Sequence, residues 1–304
     1  MLHVVAGGAG YIGGHLTDRL LEMGEDVLVL DDMSSGNYFR EGAKYLKVDL
    51  RFPISLELPR GFVLYNLVAN PDVRTSMYQV EEHFERDVKT ALNLMEFALK
   101  SGASRVVFTS SSTVYGETDK FPTPEDHPLK PVSNYGLFKV VGEQLCEFYS
   151  RNYSLPCVVL RLANITGGRT SHGVVVDFVR KLRRNPATLE ILGDGRQRKS
   201  YLYVQDLIEA ILKLSSSESG SFEVFNVGNE DWVTVEEIAR IVEAEMNLSP
   251  RHVYLNRFEG RGWPGDVRLM LLSVERAKSR GWKPTMSSAG AVKKAVRDLL
   301  DLGI

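Results

Sequence analysis

The chain has 304 residues, 43% hydrophobic and 25% charged, enough to bury one large core or two modest ones, and it has no low-complexity tract. Its formal net charge of −2 argues against a nucleic-acid partner held by a global field and leaves only local cationic pockets. Two cysteines, Cys146 and Cys157, are too few for a disulfide framework or a multi-cysteine metal site, so no metal is expected.

Met1–Ala6 reads as a β-strand that runs straight into glycines with no basic leader. No apolar run approaches the roughly 20 residues of a membrane span, so the expected setting is cytoplasmic, with no membrane partner. Strand-like runs recur at 2–6, 26–31, 44–48, 62–68, 104–110 and 156–162, several of them continuously apolar, as in strands buried on both faces. Helical spacing fills 11–23, 84–101 and 135–152 between them. This alternation predicts an α/β fold of the Rossmann type, with a doubly wound parallel sheet. After about residue 165 the pattern changes to a loop-like stretch, then helices near 174–184 and 204–215 and a strand near 222–227. Thr234 and Glu237 fit a capping box that opens a helix to about 246. The expected division is a first domain over 1–166, with 200–227 returning to it, and a smaller mixed lobe over 167–199 and 228–304.

Between the first strand and the first helix stand Gly7, Gly10 and Gly13. Glycines there permit a tight turn and close approach of backbone to a pyrophosphate, while the helix N-terminus presents free N–H groups. A plain strand-to-helix turn would look the same. What adds weight is Asp31, at the end of the second strand, eighteen residues past Gly13. A carboxylate there can accept both ribose hydroxyls of NAD and would repel a 2′-phosphate.

Tyr135 and Lys139 are spaced i and i+4 on a predicted helix, so both side chains leave one face. A free tyrosine is a poor base at neutral pH, and a neighbouring ammonium would stabilise its phenolate. Alone this spacing usually marks a surface helix. Upstream, Thr109-Ser110-Ser111-Ser112-Thr113 follows a buried strand, where open α/β sheets place their ligands. The alternative is a serine-rich loop that satisfies its own backbone.

These three motifs, in this order, resemble the extended short-chain dehydrogenase/reductase family, and in particular its nucleotide-sugar epimerases of the UDP-galactose 4-epimerase type. The resemblance runs from the glycine turn to Gly281-Trp282-Lys283-Pro284. It implies Ser111, Tyr135 and Lys139 as the catalytic set, with Tyr135 as base and Lys139 on the nicotinamide ribose. It implies a bound NAD contacted by Gly7, Gly10, Tyr11, Ile12 and Gly13, by Asp31, Asp32, Ser34, Ser35 and Gly36, and by Asp49 and Leu50 at the adenine. Leu67, Val68 and Ala69 at a strand end, and Thr109, Tyr135, Lys139 and Leu162, complete that expected set.

For the nucleotide-sugar substrate the resemblance implies Ser111, Tyr135, Asn164, Gly173 and Val174. Here the chain departs from its relatives. Lys199-Ser200 stands where an Arg-Asp pair is usual, and Trp263 where an arginine is usual. Arg198, Lys199, Arg261 and Arg268 are the candidate replacements, against the plain alternative of solvated surface cations. Asp87 replaces a usual asparagine and Asn66 a frequent histidine.

The implied reaction is transient oxidation at the sugar C4 and return of the hydride on the other face, as in a UDP-glucose/UDP-galactose 4-epimerase. A 4,6-dehydratase needs an acid and a base just after the hydroxyl residue, where this chain has Ser112-Thr113. A 4-reductase or a decarboxylating relative would use the same tyrosine and lysine. A non-catalytic NAD-binding sensor could dispense with both, and this chain keeps them. Met270, near the position that limits room at the sugar C2, does not decide the sugar. Relatives pair the 84–101 and 135–152 helices into a homodimer, which is expected on that basis.

Overall fold

The computed structural model describes residues 1–34, 36, 38–70, 72–216 and 222–303. The first half alternates strand and helix: β1 Leu2–Ala6, α1 Tyr11–Glu22, β2 Asp26–Asp31, β3 Lys44–Lys47, β4 Val63–Asn66, α2 Val80–His83, α3 Thr90–Ser101, β5 Arg105–Ser111, α4 Asn134–Tyr153 and β6 Cys157–Leu162. The second half adds β7 Asn164–Thr166, α5 Val174–Arg184, β8 Thr188–Leu192, β9 Arg198–Lys199, β10 Tyr201–Tyr203, α6 Val204–Ser215 and β11 Phe222–Val227. It ends with β12 Val233–Thr234, α7 Val235–Met246, β13 Arg251–Leu255, β14 Leu269–Met270, α8 Glu275–Ser279 and α9 Ser288–Asp301.

Seven parallel strands form one sheet in the order β11-β6-β5-β4-β1-β2-β3. The order reverses between β1 and β4, and the carboxyl ends on either side of that reversal open the crevice where such sheets bind ligands. Alternate residues of each strand feed opposite faces. Val5, Val29, Val107 and Leu160 pack with Leu16 and Leu20 of α1 and Leu207 and Ile211 of α6. Val4, Leu30, Leu64, Val106 and Val159 pack with Leu94 and Phe97 of α3 and Cys146 of α4. Burial on both faces is why these strands read as continuous apolar runs.

A third core holds Phe178 and Leu182 of α5, Ile191 of β8, Ile238 and Val242 of α7 and Val296 of α9. The predicted capping box is present: the Glu237 N–H donates to Thr234 Oγ1 at 3.0 Å and the Thr234 N–H to Glu237 Oε2 at 2.7 Å. The expected helix over 84–101 differs in detail. It begins at Val80, and Phe84–Lys89 is wound as a π-helix, which adds a residue to the turn and rotates the side chains that follow. The expected strand 62–68 is regular only over 63–66: the Leu67 N–H still bonds the Ala6 carbonyl, and the chain then turns, with the Val68 N–H on Asn66 Oδ1.

Candidate active site

The glycine turn lies at the carboxyl end of β1. Gly7 has φ +81°, and a Cβ on Gly13 would stand 2.1 Å from the Gly7 carbonyl oxygen, so helix and turn approach closer than any other residue allows. Gly10, the N-cap of α1, supplies no side-chain cap, so the first N–H groups of the helix remain available to an anion. The Asp31 carboxylate is buried beside the turn and accepts the Ala9 N–H at 3.0 Å and the Met33 N–H at 2.8 Å. Burial pushes its pKa up, and these two N–H donors oppose the rise. Its remaining lone pairs can take ribose hydroxyls. The Cβ-free cradle, the uncapped helix end and this acceptor fit a dinucleotide.

The other expected cofactor residues make contacts of their own. Ser34 donates from its backbone and hydroxyl to Asp32 Oδ1, while Ser35 lies outside the described residues. Asp49 is held by Arg51 Nη2 at 2.6 Å, and the Leu50 carbonyl accepts Asn93 Nδ2 at 3.0 Å. The Leu67 N–H donates to the Ala6 carbonyl at 3.0 Å, and the Val68 N–H to Asn66 Oδ1 at 3.2 Å, which shapes the Leu67–Ala69 segment against the turn.

Ser111 and Leu162 are register partners at the ends of β5 and β6, so the hydroxyl sits on the crevice. Ser111 Oγ accepts the Thr113 N–H at 3.2 Å and the Thr113 hydroxyl at 2.9 Å. With both lone pairs engaged, its own proton is left to donate. Ser133 caps α4 by accepting the Gly136 N–H at 3.1 Å and so fixes the start of the helix that carries Tyr135. Lys139, one turn on, is buried and donates from Nζ to the Thr109 carbonyl at 2.8 Å. Burial holds its pKa below the usual lysine value, against the pull of Asp87 and Glu143. Burial also pushes the Tyr135 phenol well up; the Asp87 carboxylate adds to that, and hydrogen bonding with Ser111 opposes it.

Asp87 was recognisable in the sequence only as a departure. The π-helix turns it inward, where Oδ1 accepts the Asn70 N–H at 3.0 Å, Oδ2 has no partner, and His83 Nδ1 stands 3.5 Å away. Behind Lys139, Glu143 pairs with the buried Arg161 at 2.7 Å and accepts the Ser110 hydroxyl at 2.5 Å. Nothing in the local sequence signalled this pair.

At the substrate end, Gly173 is the N-cap of α5 with φ +99° and Val174 its first residue. Three of the candidate cations already hold carboxylates: Lys199 with Asp266 at 2.6 Å, Arg268 with Asp194 at 2.7 Å, and Arg261 with Glu117. Arg198 stands over the Trp232 ring, 5.0 Å from its centre. Asn164 Nδ2 and Trp263 Nε1 are buried donors without a partner. Among the described residues no cluster of His, Cys, Asp and Glu could hold a metal ion, and no helix is long and apolar enough to cross a membrane.

Residues 3–228 match the model of the NAD dependent epimerase/dehydratase family. The chain is similar to a putative UDP-glucose 4-epimerase of Methanocaldococcus jannaschii, 31% identical, with 96% of each chain covered. It is similar to the crystal structure of a UDP-galactose 4-epimerase, 42% identical, TM-score 0.89, with 99% of each chain covered. It is also similar to a UDP-N-acetyl-alpha-D-glucosaminuronate decarboxylase of Bacillus cytotoxicus, 30% identical over 83% of this chain and 82% of that one.

Proposed function

This chain is an enzyme of the NAD-dependent epimerase/dehydratase family, and we propose that within it the chain is a UDP-glucose/UDP-galactose 4-epimerase. What supports this reading is the meeting of Ser111, Tyr135 and Lys139 at the carboxyl ends of β5 and β6, beside the glycine turn, together with the likeness to 4-epimerases over nearly the whole chain.

Bound NAD supplies the acceptor and donor of the C4 hydride. The protein's part is proton transfer and orientation. Tyr135 Oη takes the proton of the sugar 4-hydroxyl and later returns it. Ser111 donates to the same oxygen, since Thr113 occupies its lone pairs. Lys139, held by the Thr109 carbonyl, keeps two N–H groups for the nicotinamide ribose. The glycine turn and Asp31 hold the cofactor, and Asn164 and the start of α5 at Gly173 and Val174 face the diphosphate. Thr113 is committed to Ser111 and offers no acid for a dehydration. The enzyme acts in the cytoplasm as a homodimer, joined through the face of α3 and α4 that exposes Leu92, Leu137, Phe148 and Tyr153. The lobe over 167–199 and 228–304 receives the sugar nucleotide.

The test is purified protein with UDP-galactose and no added cofactor, read as UDP-glucose, beside Tyr135→Phe. Turnover by the wild type and a loss of roughly 10²–10⁴ in the variant are expected. Turnover of UDP-N-acetyl-alpha-D-glucosaminuronate with release of carbon dioxide, and none of UDP-galactose, would instead make it a decarboxylase, the activity for which the Bacillus relative is named.

A further inference from the structure

Two loops from distant parts of the chain flank the glycine turn and are fastened to each other. The first follows β2. A Cβ on its Gly36 would stand 2.1 Å from the Ala9 carbonyl oxygen, and the Tyr38 N–H donates to that carbonyl at 3.4 Å. Gly36 and Tyr38 therefore lie directly on the turn. The second follows β7, and its Gly167 carbonyl accepts the Tyr11 hydroxyl at 2.7 Å. Asp298 of α9 anchors that loop by accepting the Gly168 N–H at 2.7 Å.

Arg169 joins the two. Its guanidinium carbon stands 3.7 Å above the centre of the Tyr38 ring, and its Nη2 donates to Asp18 Oδ2 at 3.0 Å. The Tyr38 hydroxyl donates to Asp18 Oδ1 at 3.1 Å, so one carboxylate on α1 holds both partners. The Arg169 backbone N–H adds a bond to His15 Nε2 at 3.3 Å.

We propose that Arg169, Tyr38 and Asp18 form a clasp across the dinucleotide site that must open for NAD to enter or leave. The proposal rests on the NAD site of the family, and not on which sugar the enzyme takes. Gly36 abuts Ala9 of the turn, Gly167 is bonded to Tyr11 at the start of α1, and Tyr38 and Arg169 meet over Gly14, so on this proposal a pyrophosphate reaches the turn where these segments part. An epimerase returns its cofactor to the starting redox state in every turnover, so a slow gate does not limit its rate.

No clasp contact involves a cofactor atom, so the clasp as proposed is closed alike with and without NAD. Opening then takes the same free energy on the way in and on the way out. Removing the clasp should speed both steps equally and leave the affinity in place, which neither a direct cofactor contact nor a general loosening of the fold would do. A stacked guanidinium plus a half-screened ion pair corresponds to about tenfold in each rate.

The experiment is stopped-flow binding of NADH, followed by its own fluorescence, to protein first freed of retained nucleotide, and release chased with excess NAD. Wild type is compared with Arg169→Lys, which keeps the charge on Asp18 but loses the flat stack, and with Tyr38→Leu. Association and dissociation rising together by about threefold, at the same Kd, is the expected result, because both variants lose the stack and keep the charge pair with Asp18. Unchanged rates overturn the clasp; faster release with matching loss of affinity also overturns it, by making Arg169 a cofactor ligand. If Arg169→Lys does not fold, Tyr38→Leu carries the comparison. A wild-type chain that binds no NADH would overturn the cofactor assignment itself and the clasp with it.

Discussion

The Lys139 ammonium lies 5.7 Å from the centre of the Tyr135 ring, and its hydrogen bond goes to the Thr109 carbonyl, not to the phenol oxygen. In the cofactor-free chain the lysine therefore does little to offset the burial of the phenol, whose pKa stays above its ordinary value. What the packing does is fix the ammonium beside the ring, where it can serve a ribose and the phenol together.

Asp87 works against the base. Its carboxylate raises the Tyr135 pKa, and a base must be deprotonated to act, so removing the charge should help at low pH. For Asp87→Asn the acid limb of the kcat/KM profile is expected to move to lower pH. A profile that stays put, or moves up, would show that Asp87 does not set this pKa.

His15 ties the 167–173 loop to α1 through an unprotonated Nε2, and burial, aided by Arg169, brings its pKa down to about 4. A depressed histidine stabilises the fold fully above its unfolded value near 6.5, and that contribution is lost as pH falls towards about 4. The loss is at most about 3 kcal/mol. Melting temperatures of wild type should fall between pH 7 and pH 4, and those of His15→Gln should fall less; parallel curves would remove His15 from the account.

Gly13→Ala places a methyl against the Gly7 carbonyl, at a spacing real Cβ atoms never show. The turn must shift, and NAD affinity is expected to fall at least tenfold, measured by titration calorimetry. Wild-type affinity in this variant would mean that the pyrophosphate sits elsewhere.

Phe148 is 47% exposed on α4, in ring contact with Tyr149 and Tyr153. A charge in the centre of such a face opposes association. Sedimentation should show wild type as a dimer and Phe148→Glu as a monomer; a monomeric wild type would sink the proposed interface.

The strands, the glycine turn, Asp31 and the Tyr135–Lys139 spacing were legible in the sequence because each is a local pattern. A run of apolar residues, a residue without Cβ or a four-residue interval carries its meaning within one element. The capping box of α7 was legible for the same reason.

The sequence by itself thus determined the family of the fold, the glycine turn and the three residues that meet at the carboxyl ends of β5 and β6. Tertiary structure alone decided which charges are available. Arg261 finds Glu117, 144 positions away, Arg169 finds Asp18, and Arg161 finds Glu143, so none of these is a free cation. The π-helix that turns Asp87 towards Tyr135 also has no local signature. The physical reason is one and the same: a side chain's backbone conformation is set by its neighbours in sequence, whereas its charge partner and burial are set by whichever elements the packing of the sheet brings beside it.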